Sequence, residues 1–259
     1  MKICVLIKQV PDKNASLSIS ENQSSLDTQN ITWVSNESDN YALEEALLMK
    51  EVHGGEVVAC TLGQASAEQV LKDAMAKGAD RSILLSDAKF DDLDILSIAK
   101  IFTSAIKNEN FDLILSGLQS DDHGNSQLGL LLAELLNMSH ASLAMGTEVL
   151  NDSSIKVKRE LENGWFQWTE LSFPASISIQ SGINTPRYAT LKGIMMVKNK
   201  EVKKITASDL DITDITSNID LNKLYVPEKE KETVYIDGST DEIATKLVDV
   251  FRNNMKILN

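Results

Sequence analysis

Across its first half the chain alternates short apolar runs, rich in β-branched residues, with longer segments whose apolar positions recur at helical spacing. Few folds accommodate that rhythm. Residues 3–8 read as a strand buried on both faces. After a polar loop around Pro11, Ser38-Asp39-Asn40-Tyr41 opens a helix. Ala42, Leu43, Ala46, Leu47 and Lys50 follow at helical spacing, Glu44 and Glu45 are expected to face outward, and His53-Gly54-Gly55 ends the helix. Glu56–Leu62 is a second strand. Gly63 then turns the chain, and Ser66 is expected to cap a helix with the stripe Ala67, Val70, Leu71, Ala74 and Met75, closed by Gly78. Arg81–Leu85 is a third strand. Asp91 or Asp92 is expected to cap the next helix, with Ile95, Ile98, Ala99, Phe102, Ala105 and Ile106 inward. Residues 112–116 form a fourth strand, and a helix spans about 126–136. Strands and helices joined by short turns predict right-handed βαβ units around a parallel sheet.

Beyond residue 145 the rhythm changes. Residues 148–150, 155–161, 166–171 and 175–180 read as short strands, with Asn163-Gly164 as a hairpin signal, and predict an antiparallel extension. Trp165 and Trp168, three positions apart, are expected on opposite faces, one in the core and one partly exposed. Residues 183–226 show little periodicity, a stretch long for a compact domain and therefore expected to lie on a second chain. Residues 240–258 form an amphipathic helix carrying Ile243, Leu247, Val250 and Phe251.

Composition narrows the function classes. The net charge of −13 disfavours nucleic acid, because phosphate binding needs basic surface to release counterions. No run reaches about 18 apolar residues; the longest, 128–136, is broken by Glu134, so no membrane insertion is expected. The opening Met-Lys-Ile-Cys-Val-Leu-Ile reads as a core strand and not a signal peptide, an expectation that places the chain in the cytoplasm. Cys4 and Cys60 have no CxxC partner and no nearby histidine, and read as small core residues. His53, His123 and His140 are scattered, so no metal site is expected.

In an open parallel sheet, ligands bind beyond the carboxyl ends of the strands, where strand order reverses. The loops at that edge are residues 8–13, 62–65, 86–90 and 117–127. The last leads from Gly117 to Gly129 and carries the most information. Its inner glycines let the backbone approach a ligand closely. Asn125, Ser126 and Gln127 stand at a helix start, where free N–H groups and the dipole favour an anion such as phosphate. From spacing alone the loop reads equally as an N-cap with a solvated polar turn. Neither GxGxxG nor GxxxxGK[ST] occurs. Asp121 and Asp122 would repel a phosphate, and are expected to accept backbone N–H bonds or a ribose hydroxyl. With His123 they are the one candidate acid/base group. No HExxH, activated lysine or supported Ser–His–Asp set accompanies them, so a binding protein is expected, with no side-chain catalysis.

Three groups of residues together resemble the β subunit of electron transfer flavoprotein. The first is the N-terminal strand with Lys8-Gln9-Val10-Pro11-Asp12, joined by Tyr41-Ala42-Leu43-Glu44-Glu45-Ala46 and Ala76-Lys77-Gly78-Ala79-Asp80-Arg81. The second is Val157-Lys158-Arg159-Glu160-Leu161-Glu162-Asn163-Gly164, then Gln167 and Pro174. Here Asn163 stands where an acid or glycine is usual, and Thr169 and Ser176 where aliphatics are. The third is Asn184-Thr185-Pro186-Arg187-Tyr188-Ala189-Thr190-Leu191-Lys192-Gly193-Ile194-Met195. The similarity runs in order along essentially the whole chain.

The resemblance implies an α/β fold with a Rossmann-like parallel sheet of the adenine-nucleotide α-hydrolase-like kind, an antiparallel extension and a C-terminal arm. It also implies a heterodimer: an α subunit holds most contacts to a redox-active FAD, and the β subunit buries AMP as a structural ligand. By matching position the AMP contacts fall at Leu6, Asn36, Glu37, Ser38, Asp39, Leu62, Gly117, Leu118, Gln119, Ser120, Asp121, Asp122, His123, Gly124, Asn125, Ser126, Gln127 and Leu128. This last group coincides with the helix-start anion site. Leu118 and Ser120-Asp121 depart from the commoner pattern, which keeps a second FAD, as in an electron-bifurcating branch, as the alternative to AMP.

Partner docking is implied at Arg187, Tyr188, Leu191, Ile194 and Met195. In the family's recognition loop a leucine, here Leu191, anchors in a hydrophobic pocket on flavoprotein dehydrogenases. Lys198, Lys200, Lys203 and Lys204 follow as an expected positive patch for steering an acidic partner. Electrons would then pass to a downstream acceptor such as a quinone oxidoreductase. The organisation implied is a nucleotide-binding domain over 1–182, a recognition loop and partner-embracing segment over 183–239, and a C-terminal helix over 240–259. One rival is an adenine-nucleotide-binding regulator of universal-stress type, expected as a colourless homodimer. Another, an ATP-using ligase, would need a Ser-Gly-Gly loop after the first strand, and residues 8–13 contain no glycine.

Overall fold

The expected βα rhythm is realised in the computed structural model, which describes residues 1–212, 215–228 and 233–258. After β1 (Lys2–Leu6), a short antiparallel pair forms from β2 (Gln9–Pro11) and β3 (Trp33–Ser35). Then come α1 (Glu37–His53), β4 (Glu56–Leu62), α2 (Glu68–Lys77), β5 (Arg81–Leu85), α3 (Ile95–Ile106), β6 (Leu113–Gly117) and α4 (Leu128–Leu136). The second half supplies β7 (Ser139–Asn151), β8 (Ser154–Glu160), β9 (Phe166–Ser172), β10 (Ala175–Ile179), α5 (Leu191–Met196), β11 (Val202–Ile205) and α6 (Thr240–Asp249). One nine-stranded sheet has the order β11-β5-β4-β1-β6-β10-β7-β8-β9. It is parallel from β11 to β7 and antiparallel only across β7–β8 and β8–β9.

Strand alternation divides the core between two faces. Ile3, Val5, Val57 and Ala59 meet Ala42, Leu43, Leu71 and Met75 of α1 and α2. Cys4, Leu6, Val58 and Cys60 meet Ala99, Phe102 and Leu132 of α3 and α4. Cys4 and Cys60 are fully buried, their Sγ atoms 3.4 Å apart. Burial, the thiol of Cys60 and its charge push the Cys4 thiol well above its ordinary range.

Several sequence expectations are corrected. Residues 175–179 do not join an antiparallel extension: they insert parallel between β6 and β7. The expected strand 148–150 is the end of the 13-residue β7, whose period is hidden by register shifts near Ala144 and a positive φ at Leu143. The cap of α3 is Asp94, which accepts from the Ser97 N–H at 2.7 Å, and not Asp91 or Asp92. Ser66 lies inside a 3₁₀ turn, Ala65–Ala67, and no side chain caps α2. Neither tryptophan is core: Trp165 is 73% and Trp168 48% exposed. Trp165 precedes β9, and the Lys156 ammonium sits over the Trp168 ring. Glu44 and Glu45 are buried, not outward.

Much of the low-periodicity stretch also lies on this chain itself. α5 packs against α2, β11 extends the sheet beside β5, and Leu210, Ile212 and Ile215 pack on the α3 face. The chain divides into two compact units, Met1–Asn222 and Lys223–Asn259. In the second, Ser239 and Glu242 form a capping box at the start of α6, and none of its described residues is buried. Residues 213–214, 229–232 and 259, which belong to the segments expected over 183–239 and 240–259, lie outside the described residues. Among the described residues no helix is long and apolar enough to cross a membrane.

Candidate functional site

Strand order reverses between β1 and β6: the chain first builds β4 and β5 on one side of β1, then returns to place β6 on the other. The carboxyl ends of these strands open into a cavity of about 300 Å³. Of the residues expected there, Leu6, Asn36, Asp39, Leu62, Gly117, Leu118, Gln119, Ser120, His123, Asn125, Ser126, Gln127 and Leu128 line it. Glu37, Ser38, Asp121, Asp122 and Gly124 do not, and most of them act from behind. Ser38 Oγ donates to the Gln119 carbonyl at 2.7 Å. Asn36 Nδ2 donates to the same carbonyl at 3.0 Å, and its Oδ1 accepts the Asp121 N–H at 2.9 Å. These bonds tie the start of α1 to the loop after β6, so the loop is built rather than merely solvated.

Asp39 occupies the floor. Its two carboxylate oxygens accept the Lys8 N–H at 2.8 Å and the Gly117 N–H at 3.0 Å, bridging the ends of β1 and β6. Burial pushes its pKa up to about 7 despite these two donors and the nearby Lys8 charge. Gly117 must be glycine, because a Cβ there would run into Ser38 and Asp39. Asp122 follows the opposite logic. Burial works against its charge, but the Lys8 ammonium at 2.7 Å holds its carboxyl below the usual range. Asp122 also accepts the His123 N–H, as the sequence reading expected of these acids.

The start of α4 faces this floor. Gln127 makes no side-chain cap bond, and the first helical donor is Leu131, bonded to the Gln127 carbonyl at 3.0 Å. The three preceding N–H groups therefore have no intrahelical acceptor, and a partial positive charge collects there. The helix begins this close to the sheet because residue 129 is glycine: a Cβ would lie 2.6 Å from Ser178 Oγ and 2.9 Å from Ser116 Oγ. Gly124 differs. Its φ is +62°, but a Cβ there would meet only the Ser120 carbonyl oxygen, at an ordinary contact distance of 3.9 Å.

Sequence reasoning placed the loops 8–13, 62–65 and 86–90 at this edge but missed the apolar wall that begins at Phe90. Phe90, Leu93, Ile95, Ile98 and Phe102 give the cavity an apolar side, with Lys8, Gly63, Gln64, Asp91 and Asp92 at its rim. Assigning the helix cap to Asp91 or Asp92 concealed this. The usable signals were Asp87, which accepts the Lys89 N–H to form a 3₁₀ turn that buries Phe90, and the Asp94-x-x-Ser97 cap.

The expected docking residues fall into two groups. Tyr188, Leu191, Ile194 and Met195 are exposed, Tyr188 to 93% and Leu191 to 82%. Arg187 instead turns inward, its Nε and Nη2 on Glu44 and its Nη1 on Glu51. The lysines are largely committed as well. Lys200 Nζ donates to the Met75 and Ala79 carbonyls, Lys203 pairs with Glu109, and Lys204 with Glu68. Of the expected positive patch, Lys203 and Lys204 thus face carboxylates, which they share with Lys2, Arg81 and Lys72, while Lys200 is held by carbonyls that leave its charge in place.

The sheet and the crevice define a doubly wound α/β protein with a cavity at its switch point, one wall of it apolar and one carrying the free N–H groups of a helix start. Comparison with known proteins narrows this further. The electron transfer flavoprotein domain matches residues 24–210. Over 258 residues the chain is 32% identical to the electron transfer flavoprotein subunit beta of Methylophilus methylotrophus, covering 96% of this chain and 97% of that protein. It is 31% identical to the subunit beta of Bacillus subtilis and 34% to the mitochondrial subunit beta of Oryza sativa subsp. indica, each over the full length of both chains. The chain belongs to the electron transfer flavoprotein family, on its beta-subunit side.

Proposed function

We propose that this chain is one half of a two-chain electron carrier. It holds AMP in the crevice at β1 and β6, completes the surroundings of an FAD held mainly by an α subunit, and docks flavoprotein dehydrogenases. Electrons leave to a downstream acceptor such as a quinone oxidoreductase. The flavin supplies the redox chemistry when bound. This chain's residues bind, orient and shield; none is assigned a proton transfer.

The observation that carries the reading is the uncapped start of α4 facing an apolar wall across a cavity of about 300 Å³. That volume lies at the low end for small-molecule sites and suits a mononucleotide better than a dinucleotide. This favours AMP over a second FAD. The phosphate belongs at the N–H groups of α4, and the base belongs between Leu62, Phe90 and Ile98. Ionised Asp39 would oppose an anion, so its raised pKa fits a site that admits one. The exposed apolar tip around Leu191 supports the docking role, as a small hydrophobic anchor for a partner pocket.

Gly117→Ala tests the crevice. The added Cβ displaces Ser38 and Asp39, and adenylate released on denaturation should fall by more than half. Full retention would remove this loop from the site.

A further inference from the structure

The docking tip is held by two buried acids whose role nothing in the sequence announced. Glu44 and Glu45 stand in the middle of α1, buried although charged. The Glu44 carboxylate accepts three N–H groups of one residue, Arg187: the backbone N–H at 3.0 Å, Nε at 2.9 Å and Nη2 at 2.8 Å. Arg187 Nη1 reaches Glu51, two turns further along the same helix. Glu45 accepts Asn184 Nδ2 at 2.9 Å and the Thr147 hydroxyl, and Asn184 Nδ2 also donates to the Tyr41 carbonyl. Residues 184–187 are thus clasped onto α1 by side chains about 140 positions away.

The other end of the tip is fixed independently. Thr190 Oγ1 accepts the Gly193 N–H at 3.0 Å to cap α5. Gly193 lies so close to the Ala76 carbonyl that a Cβ would collide with it, seating α5 on α2. Between these two anchors Tyr188, Leu191, Ile194 and Met195 project with little covering them. Four large apolar side chains in water are unfavourable on their own account, and the chain spends two buried carboxylates and a guanidinium on keeping them there.

We propose that Glu44 and Glu45 are positioning residues for docking. Through Arg187 and Asn184 they hold the apolar tip in its binding conformation before a partner arrives. This rests on the docking role given above to Leu191. A preformed tip pays no ordering entropy on association, so the clasp acts on affinity for the dehydrogenase rather than on the redox step. The same helix starts at Asn36 and Asp39 on the floor of the crevice, so one rigid element carries both sites.

The test uses the complete two-chain protein. In Glu44→Gln, backbone amides over 184–196 should exchange with D₂O at least tenfold faster, while those over 113–129 keep the wild-type rate. With a flavoprotein dehydrogenase that reduces the wild type as electron donor, KM for the carrier should rise about tenfold, with kcat within twofold and flavin content intact. Arg187→Lys should reproduce both effects, because lysine keeps the charge but lacks the fork that grips Glu44; it also serves if Glu44→Gln does not fold. Unchanged exchange or unchanged KM in a folded variant overturns the proposal, as does lost flavin or a matching fall in kcat, which would mark a purely structural role. Leu191→Ala is the separate control. If it leaves KM unchanged, the docking role itself fails, whatever the exchange data say about the clasp.

Discussion

Asp39 is a buried acid that accepts two backbone N–H groups at the floor of the crevice, and burial dominates its titration. Its folded pKa, about 7, stands above the ordinary carboxyl value of 3.8. The extra proton bound by the native state therefore stabilises it fully at low pH. That contribution declines as pH rises from about 4 and is gone above about 7. The wild type should accordingly lose stability relative to Asp39→Asn between about pH 4 and 7, with no further change above, as read by urea unfolding at each pH. A difference that does not change with pH would show that Asp39 is ionised throughout. At this scale the sequence was legible where one residue's chemistry sufficed, as with the acceptor role of Asp122. It was not legible at Glu44 and Glu45. A charged residue on a helix reads as solvent-facing, and its burial here depends on Arg187 and Asn184, far along the chain.

Among elements, α4 shows most plainly how packing creates a site. It starts beside β6 and β10 because Gly129 leaves room for Ser116 and Ser178, and that proximity brings its free N–H groups to the crevice. Gly129→Ala should cost about 1–3 kcal/mol, as overpacking of a tight core does, and unfolding in urea measures it. A neutral effect would mean that the helix start can move freely. The strands of the parallel half were legible because burial on both faces leaves a continuous apolar run, as over residues 57–60 of β4. β10 was assigned to the wrong pairing because five residues with alternating serines look half-exposed. Ser176 and Ser178 are in fact buried, Ser176 bonded to the Gly129 carbonyl and Ser178 beside Ser116. The apolar wall was missed because the turn that buries Phe90 is set by Asp87, while three candidate caps for α3, Asp91, Asp92 and Asp94, lie within four positions.

At the scale of the molecule, every buried residue among those described lies in the unit Met1–Asn222, and the described residues of Lys223–Asn259 contribute none. A chain ending at Asn222 should therefore unfold within a few degrees of the full-length chain in a thermal scan. A large drop would show that the second unit stabilises the first. The second unit exposes Tyr225, Val226, Val234, Tyr235, Met255 and Ile257, apolar surface suited to a partner chain. Family and sheet could be read from the sequence because motif order and strand–helix alternation are properties of the linear chain. The width of the crevice and the clasp behind the docking tip are properties of contacts between distant segments, and only the folded chain displays them. The central claim is that this crevice holds a mononucleotide within a two-chain flavin carrier. The chain should be co-purified with its partner, the complex denatured, and the released nucleotides identified and counted. One AMP and one FAD per pair of chains is the predicted result; two FAD per pair, or a colourless homomer that releases no adenine compound, would contradict it.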